Sequence, residues 1–126
     1  YVCRANAGNE GKRSGYNLKP QWANGCIVGH GGAERKITNY DCLCKPMETR
    51  LVNSSNTCNE ACRGVGMKPV RSGLYQNGNP FYVCAVNLSN QGYRVGYNLR
   101  PEWANGCVAG IGGQEIKGAP FKCLCN

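Results

Sequence analysis

The sequence has one histidine, two phenylalanines and two tryptophans among 126 residues. Cys-x-x-Cys pairs are absent, and with His30 alone a set of zinc sites is not expected. No stretch is long and apolar enough to span a bilayer as a helix. Lysine and arginine total 15, yet they never form a run of five or more, so no basic tract marks nucleic acid as a partner. No sustained helical period is present, and no cofactor motif: Gly29-His30-Gly31-Gly32 lacks the Lys-Ser/Thr ending of a phosphate loop. Aliphatic residues are too sparse for a large core, so the fold needs another constraint on its unfolded state.

Ten cysteines supply it. The even number, in a setting with 18 glycines, predicts a disulfide framework built from Cys3, Cys26, Cys42, Cys44, Cys58, Cys62, Cys84, Cys107, Cys123 and Cys125. It also predicts a secreted, extracellular protein, because such bonds persist in oxidising compartments. Tyr1 reads as a mature N-terminus after processing. The net charge of +8 serves solubility or attracts anionic surfaces.

The strongest signal is a repeat. Sliding residues 1–44 onto 82–125, an offset of 81 (82 − 1), needs no gap. Tyr1-Val2-Cys3 falls on Tyr82-Val83-Cys84, and Cys42-Leu43-Cys44 on Cys123-Leu124-Cys125. Between them GYNLKPQWANGC ending at Cys26 becomes GYNLRPEWANGC ending at Cys107. Residues 45–81 have no earlier counterpart. The chain therefore divides into an incomplete first repeat (1–44), a polar linker (45–57) and a complete second repeat (58–126), forming one domain.

Strand signals are short: YVCRA, FYVCAV, GCIVG, GCVAG, and the paired NYDCLC and PFKCLC, which set two cysteines on one face of a strand. Asn77-Gly78 predicts a hairpin turn before FYVC. The expected fold is all-β and disulfide-rich, with two tandem similar sheets packed about a pseudo-two-fold axis. If both units wire alike, each closes two internal bonds and Cys58 pairs with Cys62. Alternatively these two tie the linker down, and the pairing within a unit stays open among three connectivities.

The run YVCRAN, GYNLKP, GCIVGHGGAERK and YDCLC, with its partner from FYVCAV onward, resembles the DM-nine repeat found in mannose-specific lectins and natterin-like proteins. Tyr1-Val2-Cys3-Arg4-Ala5 matches the family's Tyr-Val-x-Arg-Ala element. Gly31-Gly32-Ala33-Glu34 and Gly112-Gly113-Gln114-Glu115 match its Gly-Gly-x-Glu element. The resemblance implies the family's fold and a sugar site built on a loop lysine with nearby carboxylates. Tyr16 and Tyr97 stand where that lysine would be, and Asn77 where an acidic turn residue would be.

The repeated loop has a structural reading: Gly15, Gly25, Gly96 and Gly106 for turns, Pro20 and Pro101 for rigidity, and the tryptophans as shared core. It also carries the groups a pyranose needs, namely an aromatic face with amides, carboxylates and cations. Tyr16, Lys19, Trp22, Asn24 and Glu34 provide these once; Tyr97, Arg100, Trp103, Asn105 and Glu115 provide them again. Together with Asn77 they form the expected sugar-binding set, which requires the rings of Tyr16 and Tyr97 to be reachable from solvent. Catalysis is not expected, because His30 is replaced by Ile111 in the second repeat and each repeat holds a single recurring acid. The expected function is a secreted lectin for cell-surface or microbial glycans, of mannose type or other. Rival readings are a cationic protein acting on membranes and a disulfide-stabilised scaffold or inhibitor. An exposed sheet edge would invite a homodimer.

Overall fold

A computed structural model of the chain describes residues 2–8, 11–17, 25–42, 50–54, 57–75, 78–87, 92–99 and 103–126, excepting the side chains of 103–105. Among these, twelve strands and one short helix form. The first half holds β1 (Val2–Asn6), β2 (Lys12–Tyr16), β3 (Cys26–His30), β4 (Ala33–Ile37) and β5 (Tyr40–Cys42). A middle section holds β6 (Arg50–Ser54), α1 (Cys58–Arg63) and β7 (Arg71–Leu74). The second half holds β8 (Pro80–Asn87), β9 (Tyr93–Leu99), β10 (Trp103–Ile111), β11 (Gln114–Gly118) and β12 (Phe121–Cys125).

The fold is all-β, as the short β-branched and aromatic runs predict. It is not built from two separate sheets. One curled antiparallel sheet runs β5-β1-β2-β3-β4-β11-β10-β9-β8-β12-β6, with β7 paired to β8. Outward from the β4–β11 junction the order reads the same on both sides until β6. The offset of 81 carries β1 through β5 onto β8 through β12. The two halves join because β4 and β11, each an edge of its own half, pair at Gln114 and Ala33. Two backbone bonds, Glu34 N–H to Gly113 O and Glu115 N–H to Gly32 O, each 3.1 Å, close this junction. Pairing removes two exposed edges that separate sheets would leave. The sheet then curls so that β2 lies against β9 and β3 against β10.

The hairpins β3–β4 and β10–β11 turn on Gly31-Gly32 and Gly112-Gly113, all with φ between 60° and 82°. Two consecutive positive φ values define the turn whose twist suits a two-residue hairpin, and glycine reaches them without steric cost. The hairpin expected before FYVC is β7–β8; Asn77 itself lies outside the described residues.

The stretch read as a linker contributes β6, which pairs with β12 over Phe121 to Cys125. The helix α1 was not legible as a helical period because six residues are too few to show one. Its signal is Thr57-Cys58-Asn59-Glu60: the buried Thr57 hydroxyl accepts the Glu60 N–H, as in a capping box.

Four disulfides close among the described residues. Cys3–Cys26 and Cys84–Cys107 are wired alike, each spanning 23 residues. Cys58 and Cys62 do not bond to each other; they bond Cys123 and Cys125. Cysteines four apart on a helix have Cβ atoms about 5–6 Å apart, beyond the roughly 4 Å a disulfide needs. They advance about 6 Å along the axis, close to the roughly 6.6 Å between alternate residues of a strand. A Cys-x-x-x-Cys helix therefore fits a Cys-x-Cys strand in register. Cys123 and Cys125 are fully buried under α1, while Cys42 in β5 is an exposed free thiol. Cys44 lies outside the described residues.

Candidate functional site

The repeated Gly-Tyr-Asn has a structural cause at each letter. A Cβ on Gly15 would lie 1.9 Å from Ile27 O, and one on Gly96 would lie 2.0 Å from Val108 O, so no side chain fits. The amide of Asn17 donates to Gly25 O at 2.7 Å and that of Asn98 to Gly106 O at 2.8 Å, closing the neck of each loop. Between them the tyrosine reaches across to the other half.

Tyr97 donates to Glu115 Oε2 at 2.5 Å, and its hydroxyl lies 3.1 Å from Gly29 O. Tyr16 meets Gly110 O at 3.0 Å and Glu34 Oε2 at 2.8 Å. The second oxygen of each glutamate is also held. Glu34 Oε1 accepts the Gly113 N–H at 3.2 Å, and Glu115 Oε1 accepts the Gly32 N–H at 3.0 Å. Gly29 and Gly110 let these glutamates approach: an added Cβ would stand 3.0 Å and 2.8 Å from the opposing Cγ. An arginine completes each group. Arg13 donates to Tyr97 Oη at 2.9 Å and lies 3.9 Å from Glu115 Oε2. Arg94 donates to Tyr16 Oη at 3.1 Å and lies 3.9 Å from Glu34 Oε2. Every contact recurs at the offset of 81, with the halves exchanged.

These groups make two Tyr–Glu–Arg clusters at the seam of the sheet. In both, burial and then the carboxylate bond disfavour the phenolate. Tyr16 is pushed up to about 12, and Tyr97 rises as well. Both phenols therefore stay protonated donors at neutral pH. The glutamate side chains keep 19% and 15% of their surface in solvent. A carboxylate offers about four lone-pair directions, so each can accept a further hydroxyl beyond the bonds described. Among the described residues no group of three or more His, Cys, Asp or Glu could hold a metal.

Of the expected sugar-binding set, the structure brings Tyr16 to Glu34 and Tyr97 to Glu115. The tyrosines are not an open aromatic platform. Tyr97 is 0% exposed and Tyr16 is 7% exposed, since their rings fill the space between the curled strands while the hydroxyls bridge to the other half. Lys19, Trp22, Asn24, Asn77 and Arg100 lie outside the described residues. Trp103 and Asn105 lie in β10, with side chains outside them. Arg13 and Arg94 are not in the expected set. Their signal was recurrence at the offset of 81 three residues before each tyrosine. It was hidden by their place among fifteen scattered cations.

No curated protein matches the chain. The profile of the DM9 repeat matches residues 1–118, spanning the first half and the second through β11. The chain belongs to the DM9 repeat family.

Proposed function

We propose that this protein is a secreted carbohydrate-binding protein with two similar sites, related by an approximate two-fold axis and built where each Tyr–Glu–Arg cluster meets its repeated polar–aromatic loop. The observation that carries the reading is the pair of partly exposed glutamates, each oriented through both oxygens and flanked by an arginine. A preorganised carboxylate beside a cation is suited to accept two neighbouring sugar hydroxyls. Family membership and the four disulfides support it, the latter because they suit an extracellular setting. In this reading the tyrosines orient the carboxylates. The reading assigns the apolar face of the ligand to Trp22 and Trp103, and its remaining hydroxyls to Lys19, Arg100, Asn24 and Asn105. The protein binds rather than transforms its ligand.

A single site of this kind has a Kd near the millimolar range, about −4 kcal/mol. Two sites on one rigid sheet gain by avidity on a dense surface of microbial or cellular glycans. The test is calorimetric titration with mannose, galactose, amino sugars and sialylated glycans, beside a glycan array. At least one class should release heat and shift the tryptophan emission. Lys19→Ala with Arg100→Ala should abolish binding to the array while leaving the disulfides intact. Silence from every sugar, together with leakage of anionic vesicles that fades with salt, would instead assign the +8 charge to membrane action.

A further inference from the structure

We propose that Lys36 and Lys117 set the ligand class of the two sites, each ammonium receiving the carboxylate of an acidic sugar, so that the protein selects uronic or sialic acid residues over neutral sugars. The proposal rests on the carbohydrate-binding reading above and narrows it. The ladders place both lysines. Tyr16 pairs with Ile27 and Ile27 with Lys36; Tyr97 pairs with Val108 and Val108 with Lys117. Directly paired residues point to one face of a sheet, so each lysine shares a face with its tyrosine. Glu34 and Glu115, two residues earlier in the same strands, share it as well. Ile27 and Val108, in the middle of each row, are buried, whereas both lysines are exposed.

The neck of each loop fixes where the lysine stem runs. Neither Gly25 nor Gly106 has a positive φ, so no turn demands glycine there. The lysine does. A Cβ on Gly25 would lie 2.4 Å from Lys36 Cγ and 2.7 Å from its Cδ; one on Gly106 would lie 2.3 Å and 2.6 Å from the same atoms of Lys117. Each stem therefore lies as an apolar strut across the neck that Asn17 or Asn98 closes. Cys26 pairs with Ile37 and Cys107 with Gly118, which puts each glycine on the side of the lysine away from the glutamate. Lysine and glutamate thus lean apart, the carboxylate being drawn the other way by the tyrosine and by the glycine N–H at the seam. Neither lysine forms an ion pair among the described residues. Each half therefore presents an unneutralised ammonium and an oriented carboxylate with a gap between them, and the arrangement recurs at the offset of 81. A neutral sugar can use only the carboxylate. A sugar acid uses both groups, its ring hydroxyls donating to the glutamate while its own carboxylate accepts from the ammonium.

The test compares matched ligands on the intact protein by calorimetric titration at neutral pH and low salt. The pairs are methyl glucuronide against methyl glucoside, methyl galacturonide against methyl galactoside, and sialyllactose against lactose. At least one acid should bind about fivefold tighter than its neutral partner, the gain an exposed ion pair supplies. That ratio should shrink as salt rises. Lys36→Met with Lys117→Met keeps a flexible apolar stem over each glycine and removes both charges, so the ratio should fall to near unity. Gly25→Ala with Gly106→Ala keeps the charges but displaces the stems, and should lower the ratio as well. Non-reducing peptide mapping confirms that both variants retain the four disulfides. Equal binding of acid and neutral partner, a preference that survives either double variant, or one that disappears only with Lys19→Ala and Arg100→Ala would each overturn the proposal while leaving the carbohydrate-binding reading in place. Silence from every ligand would overturn both.

Discussion

Arg13 and Arg94 stand 81 residues apart, and each donates to a tyrosine of the opposite half beside a glutamate. Arg13 is shut in by three rings with 3% of its side chain exposed, while Arg94 lies over the Tyr16 ring and keeps 22% in solvent. The contrast runs through both halves. The first has a small core of Cys3, Ala5, Ala7, Cys26 and Val28. The second packs Tyr82, Val86, Ala109 and Phe121 under α1, with a further group of Phe81, Tyr97, Leu99 and Val108 beside it. The repeated motif sets which atoms meet. The unrepeated segment 50–81 decides how dry and how strong those meetings are.

The largest expected effect comes from removing that segment's anchor. Replacing Cys58, Cys62, Cys123 and Cys125 by Ser removes both bonds that close the long loop and opens 65 residues, whereas replacing Cys3 and Cys26 opens 23. On the chain-entropy account the losses are about 4 and about 3 kcal/mol. Loss of α1 packing over β12 adds to the first. Urea unfolding should therefore rank the variant lacking both α1–β12 bonds as weaker than Cys3→Ser/Cys26→Ser. The reverse order would mean that the first half carries more of the stability than its core suggests.

Smaller effects separate the two clusters. Arg13→Met leaves Glu115 beside a buried space without its cation and removes the guanidinium from three rings, at a cost of about 3 kcal/mol. Arg94→Met, at the wetter cluster, should cost roughly 1 kcal/mol, because water can replace the lost donor. Thermal or urea denaturation of the matched pair gives the comparison directly. Equal losses would show that the aromatic box around Arg13 contributes nothing beyond the hydrogen bond.

Much of this is legible in the sequence. The offset of 81 placed β1–β5 on β8–β12 correctly, and Glu34 and Glu115 stood out as the recurring acids. What escaped were properties that need the third dimension. Tyr16 and Tyr97 read as ligand platforms because an aromatic in a polar loop looks exposed; only the curl of the sheet shows that each ring is roofed by the other half. Cys58 and Cys62 look self-contained in a line of text, and only the matched spacings of helix and strand send them to Cys123 and Cys125. The single sheet was illegible because one residue pair, Gln114 with Ala33, decides it.

The phenols offer the finest probe of the comparison. Burial and the bond to Glu34 hold the Tyr16 hydroxyl proton up to about 12, against about 10 in an unfolded chain. Below pH 10 both states keep the proton, and the stabilisation is complete. As pH rises from 10 toward 12 the unfolded chain loses its proton first, so the folded state binds more protons and stability falls with pH. Tyr97 shifts in the same direction under deeper burial, and its box of rings admits less water to relieve it. Denaturation midpoints followed from pH 8 to 12, with the Cys42 thiol alkylated to prevent exchange, should therefore decline above pH 10 in the parent protein. Tyr16→Phe and Tyr97→Phe should each flatten that decline, since each removes one such proton. If either variant leaves the decline unchanged, the hydroxyl it removes is not held protonated by its cluster.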